Sequence, residues 1–178
     1  MDIKENVMRI KDNLFLIGEK RFVELVTDTD YKVSFIYLVA CLVLSLPLEF
    51  IFTSVSEGTL EALIYIPLAF LISIPVAYVV YGIQHLLLKA LGGQGTFLQS
   101  VQVFIYGSTL TLIFGSIPII GSLLGFITLA NTVVGSSKIH KISIWRAIFA
   151  LVVVPIIVII LIVAIAASVL GLSMMPGL

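Results

Sequence analysis

Apolar positions follow two regimes along this chain. In the first stretch Ile3, Val7, Ile10, Leu14 and Ile17 recur at spacings of four, three, four and three, which places them on one face of a helix. Lys4, Arg9, Lys11 and Asp12 fall largely off that face, Gly18 is placed to end the helix, and Phe22, Val23, Leu25 and Val26 form a second apolar cluster. From Val33 onward the periodicity gives way to long apolar runs, at about 33–53, 62–88, 97–114, 117–134 and 147–170. A helix crosses a bilayer with roughly 20 such residues. The last run carries no charge from Ala147 to Val169. The third and fourth are short and joined through Gly115, Ser116, Ile117 and Pro118, which predicts a helical hairpin. The expected fold is all-α: an amphipathic segment over 1–32, then a polytopic bundle of five transmembrane helices over 33–178.

Composition agrees with a lipid solvent. Of the 178 residues, 60% are hydrophobic and 11% charged, against about 45–50% and about 25% in soluble domains. The net charge of zero gives no reason to expect nucleic acid as a partner. Position matters more than the total. Residues 1–32 hold 13 of the 20 charged side chains, and only Glu49, Glu57, Glu61, Lys89, Lys138, Lys141 and Arg146 follow. With five crossings from a cytoplasmic N-terminus, segments 1–32, 89–96 and 135–146 lie inside and contain all ten Lys and Arg. Counting Glu49 with the outer loop, the layout is +3 inside and −3 outside. That is the asymmetry the positive-inside rule demands. A cleaved signal peptide does not fit, because the first 20 residues lack a central apolar block.

Two readings of the amphipathic arm stand side by side: an interfacial helix on the inner leaflet, or a helix packed on the cytoplasmic ends of the bundle. A coiled coil is disfavoured by a stripe little more than two heptads long. Within the spans, Gln99, Gln102, Tyr106 and Thr109 form a polar stripe on the third helix, and Asn131 with Thr128 and Thr132 is a facing group on the fourth. The stripe reads either as a substrate or ion path or as interhelical hydrogen bonding that fixes register. The second is favoured, because no charge sits at mid-membrane depth. Gly121 and Gly125 make a GxxxG step, and Ala69, Ser73 and Ala77 repeat every four residues; both permit close backbone approach, within the chain or with a second copy. Pro47, Pro67, Pro75 and Pro155 are expected to kink their helices.

No catalytic, metal or cofactor site is expected. His85 and His140 are the only histidines, no HExxH is present, and two His without nearby Cys fall short of a zinc set. Serines follow glycines at Ser108, Ser116, Ser122 and Ser136, but none in a G-x-S-x-G setting. Close helix packing selects the same Gly-Ser pairs. Cys41 stands alone and reads as a small buried filler.

Special residues are densest from His85 to Pro155. Gly92, Gly93 and Gly95 turn the chain, with Thr96 placed to cap the next helix. Pro118 starts the fourth helix, Gly135 ends it, and a basic loop leads through Ser143 into the fifth at Ile144. This order of His85, Gly92-Gly93, Gly95-Thr96-Phe97, Gln99, Tyr106, Ile117-Pro118, Gly121, Gly125, Gly135, His140, Ile142-Ser143, Arg146-Ala147 and Pro155 resembles the Yip1 family of multi-spanning membrane proteins. Ser136-Ser137 and Ile139 depart from the usual loop before the His, and the Tyr106 helix lacks a frequent proline. The resemblance implies a five-helix domain with a cytoplasmic N-terminus and an outside C-terminus. Eukaryotic relatives act in vesicle trafficking and membrane shaping with Rab-type GTPases; the short N-terminal region here looks like the prokaryotic branch, in the cell membrane. The leading expectation is a non-enzymatic membrane scaffold, organising or trafficking-like factor. Its working face is cytoplasmic, marked by Lys138, Lys141 and Arg146, and takes anionic lipid or a protein partner. The alternative is a small transporter or channel subunit using the stripe, alone or as a homo-oligomer.

Overall fold

The computed structural model describes Val26 and residues 31–173, so the expected amphipathic helix at Ile3–Ile17 lies outside the described residues. What is described is helical: α1 (Tyr31–Ser56), α2 (Thr59–Ala90), α3 (Phe97–Gly107), α4 (Thr109–Phe114), α5 (Ile120–His140), α6 (Ile144–Ile148), a π-helical turn (Phe149–Val153) and α7 (Val154–Ser173). Among these residues four helices are long and apolar enough to cross a membrane: Tyr31–Ser56, Thr59–Ala90, Ile120–His140 and Ile144–Ser168.

The expected third span at 97–114 is not one continuous helix. It breaks at Ser108, which carries φ −93° and ψ 2° between α3 and α4. A Gly-Ser pair is a common site for a bend, and here Thr109 Oγ1 also donates back to the Tyr106 carbonyl at 2.8 Å. Every residue from Ser100 to Gly107 is buried. This short helix is the centre of the bundle, with α1, α2 and α5 packed around it. The core runs through Tyr37, Leu38, Cys41, Tyr81, Leu88, Val101, Val103, Phe104, Ile105 and Tyr106, and takes in Val26 ahead of α1. Cys41 is indeed a buried filler.

Outward faces are the reverse of a soluble protein's. α2 exposes Leu63, Ile64, Leu68, Leu71, Ile72 and Val79 and keeps Ala69, Ser73 and Ala77 half-buried on its inner side. With lipid outside, burial of large apolar side chains carries no premium and close approach decides the packing.

Two helix ends differ from expectation. α5 does not end at Gly135 but continues to His140, and Gly135 is buried inside it. In a membrane helix glycine marks packing as readily as termination. α5 begins at Ile120, so Pro118 lies in the turn before it. There Ile119 holds a φ of 66° and Ile120 N–H donates to the Pro118 carbonyl at 2.7 Å, a γ-turn of the rare strained form. Gly121 approaches the Gly115 carbonyl too closely for any Cβ, whereas Gly125 faces open space. The GxxxG step is thus used inside this chain at its first glycine only.

Pro155 shapes the last helix without interrupting it. Proline lacks an N–H and its ring crowds the carbonyl four residues back. The chain responds with the π-helical turn, in which Val154 N–H reaches the Phe149 carbonyl. One residue is thereby inserted into the turn ahead of the proline.

Candidate functional site

The end of the bundle that carries Lys89, Lys138, Lys141 and Arg146 is built from two matching helix caps. At α2, Gly92 turns left-handed at φ 88°, its N–H reaches Lys89 O at 3.0 Å and the Gly93 N–H reaches Leu88 O at 2.9 Å. At α5, Lys141 takes the same role at φ 53° and ψ 38°. Its N–H reaches Lys138 O at 3.3 Å and the Ile142 N–H reaches Ser137 O at 3.1 Å. Both are Schellman motifs, which satisfy the last carbonyls of a helix. The second uses lysine where glycine is usual.

The caps are fastened to each other. Gln94 N–H donates to the His140 carbonyl at 2.9 Å, and Arg146 Nη1 reaches the Leu91 carbonyl at 3.5 Å. Beyond the first cap, Thr96 and Gln99 close a capping box: Gln99 Oε1 accepts from Thr96 N–H at 2.9 Å and Thr96 Oγ1 from Gln99 N–H at 3.3 Å. Ser143 caps α6 through Arg146 N–H at 3.4 Å. Thr96 and Ser143 therefore act as their sequence positions predict.

Below the caps, Ser100 joins three helices. Its Oγ lies 2.8 Å from His85 Nδ1 and 2.7 Å from His140 Nε2, with the Thr96 carbonyl at 3.2 Å. The hydroxyl has one hydrogen and the carbonyl can only accept, so at least one imidazole N–H must point at Ser100. The two rings sit 5.6 Å apart, and Phe97 meets His85 edge-on. Ser100 and His140 are fully buried. A Cβ on Gly93 would stand 2.5 Å from His140 Nδ1, and one on Gly95 would stand 3.1 Å from the same ring. The glycines are spaced for the imidazole.

Other sequence-selected residues are dispersed by the fold. The polar stripe splits: Gln99 belongs to the capping box, Thr109 Oγ1 meets the Tyr37 hydroxyl of α1 at 2.8 Å, and Gln102 and Tyr106 are buried in the core. Tyr37 also meets the Tyr106 ring edge-on at 4.9 Å. Thr128 pairs with Thr111 of α4 at 2.7 Å, while Thr132 Oγ1 turns back to the Thr128 carbonyl and lies beside Gly107 with Asn131. Ser100 and Tyr37 were not singled out from sequence. A serine in a membrane helix reads as bonding to its own backbone, and only the fold shows both histidines converging on this one. Glu57 and Glu61 line a cavity of about 510 Å³ with Thr53, Ser56 and Tyr65, at the α1–α2 connection.

Helices whose large apolar faces point outward, around a small and polar-buttressed centre, define a multi-pass membrane protein. The Yip1 domain model matches residues 14–166, and the chain belongs to the Yip1 domain family. No curated protein and no solved structure matches it.

Proposed function

We propose that this chain is a non-enzymatic integral membrane protein that serves as a scaffold or organising factor through its basic end. In this reading α3 and α4 together make a fifth crossing: 18 positions from Phe97 to Phe114 span about 27 Å, close to the hydrocarbon thickness. The basic end is then cytoplasmic, as the positive-inside rule requires, the C-terminus is outside, and the membrane is a prokaryotic cell membrane.

The observation that carries the reading is the fastening of Gln94 to His140 and of Arg146 to Leu91. These bonds join the ends of α2 and α5 and the start of α6 into one plate presenting Lys138, Lys141 and Arg146. A plate of this kind suits docking more than turnover. The hydroxyl nearest to a histidine base, Ser100, is fully buried, which supports a structural use.

Cross-linking from photoreactive groups at Gln94 or Lys141 in native membranes is expected to capture a protein partner, and Lys138→Ala, Lys141→Ala and Arg146→Ala together to abolish the capture. Labelling of single cysteines at Gln94 and Ser116 in a Cys41→Ser background reads the orientation; a Gln94 site reactive only from outside would overturn it. Solute flux in liposomes that Gln102→Leu eliminates would replace the scaffold with the transporter.

A further inference from the structure

Between α5 and the last helix runs a groove with two chemically distinct parts. Its mouth, about 450 Å³, is lined by Ser137, Lys138, Lys141, Ile142 and Ser143 together with Val134 and Ile144. A second hollow of about 330 Å³ is lined by Phe126, Leu129, Ala130, Val133, Ile148 and Val152, again with Val134 and Ile144. Val134 and Ile144 line both hollows, which therefore lie next to each other. The mouth carries two lysines and two serines among apolar neighbours, and the trough is lined only by apolar side chains.

Dimensions and direction select the occupant. From Lys138 back to Phe126 is twelve residues of α5, or about 18 Å of helix, slightly more than half of a roughly 30 Å hydrocarbon core. Mouth and trough together are thus about one leaflet deep, with the cations at one end. Lys138 and Lys141 are exposed, and Ser143 stands at the start of the helix Ile144–Ser168, whose first turn favours an anion. Trp145, the sole tryptophan, is 75% exposed beside the mouth, as interfacial tryptophans are.

We propose that this groove holds one anionic glycerophospholipid, with its phosphate at Lys138 and Lys141 and an acyl chain along Val134, Val133, Ala130 and Phe126. Charge complementarity sets the headgroup, and the apolar hollow next to the cations takes a tail. The proposal needs only that α5 and the last helix lie in lipid. It is separable from the scaffold reading, because Arg146 belongs to the plate and lies outside both hollows.

The test is native mass spectrometry of the full chain released from vesicles of phosphatidylglycerol and phosphatidylcholine in equal amounts. The expected result is one retained phosphatidylglycerol in preference to phosphatidylcholine. Lys138→Gln with Lys141→Asn, asparagine being tolerant of left-handed backbone, should cut that retention on the order of ten-fold. Ala130→Phe, on an exposed position that the fold does not need, should cut retention of both lipids by filling the trough. Arg146→Ala should leave it unchanged, and excess glycerol phosphate should not displace the lipid. Equal retention of the two lipids, indifference to both groove variants, or displacement by glycerol phosphate would overturn the proposal.

Discussion

The imidazole of His140 is seated on the backbone of Gly93: a methyl group at position 93 would lie 2.5 Å from Nδ1 and 2.7 Å from the Leu88 carbonyl. Gly95 faces the same ring, and its three nearest contacts, at 3.1 Å, are all to His140. The two glycines therefore serve different masters. Gly93→Ala should cost about 1–3 kcal/mol as overpacking, and His140→Ala should not restore it, because the Leu88 carbonyl stays in place. Gly95→Ala should be relieved in a His140→Ala background. Thermal unfolding of the three single and two double variants in mild detergent, followed by far-UV circular dichroism, checks the pattern; equal relief at both glycines would contradict it.

Ser100→Ala removes the hydroxyl between His85 Nδ1 and His140 Nε2. A buried polar atom that loses its partner costs about 1–3 kcal/mol. The loss should appear as faster hydrogen exchange at the α2, α3 and α5 ends, with the α1–α2 connection near Glu57 unaffected. Exchange that rises uniformly would indicate global loosening and no local clasp.

These residues show how much of the site can be read from sequence. The density of His85, Gly92, Gly93, Gly95 and His140 was legible, as were Thr96 and Ser143 as caps, because glycine runs and capping hydroxyls act locally. Their convergence was not legible, since nothing in a helical serine announces two histidines at 15 and 40 residues' separation. Composition points to Gly135 as the end of α5, whereas the left-handed cap is Lys141, a residue type that carries no such signal. The polar stripe divides at the Ser108 break, with Gln99, Gln102 and Tyr106 on α3 and Thr109 on α4. Helical spacing does not reveal neighbours, however, and Thr109 turned out to serve α1 while Gln99 serves its own cap.

Lys141 holds left-handed backbone at φ 53°, which costs a non-glycine residue roughly 1–2 kcal/mol. Lys141→Gly should therefore keep or raise thermal stability while removing a cation. A fall in stability would mean that the lysine side chain, and not the cap geometry, holds this corner.

Tyr37 and Thr109 form the one direct hydroxyl pair between α1 and the α3–α4 break among the bonds described. A double-mutant cycle with Tyr37→Phe and Thr109→Val should give a coupling of about 0.6 kcal/mol and at most about 1.7, the range for such bonds in membrane helices. Coupling of zero would show that the two hydroxyls are satisfied elsewhere.

The π-helical turn before Pro155 has a mechanical meaning. Ala147, Ala150 and Leu151 are buried in the core, whereas every residue from Ile156 to Ser168 is exposed. The last helix is anchored over its first two turns and then stands clear as a rod of about 20 Å. On the other side of the distorted turn, Arg146 is bonded to the Leu91 carbonyl. The distorted turn is thus the junction between a helix start bonded to the glycine corner and an outward-facing rod.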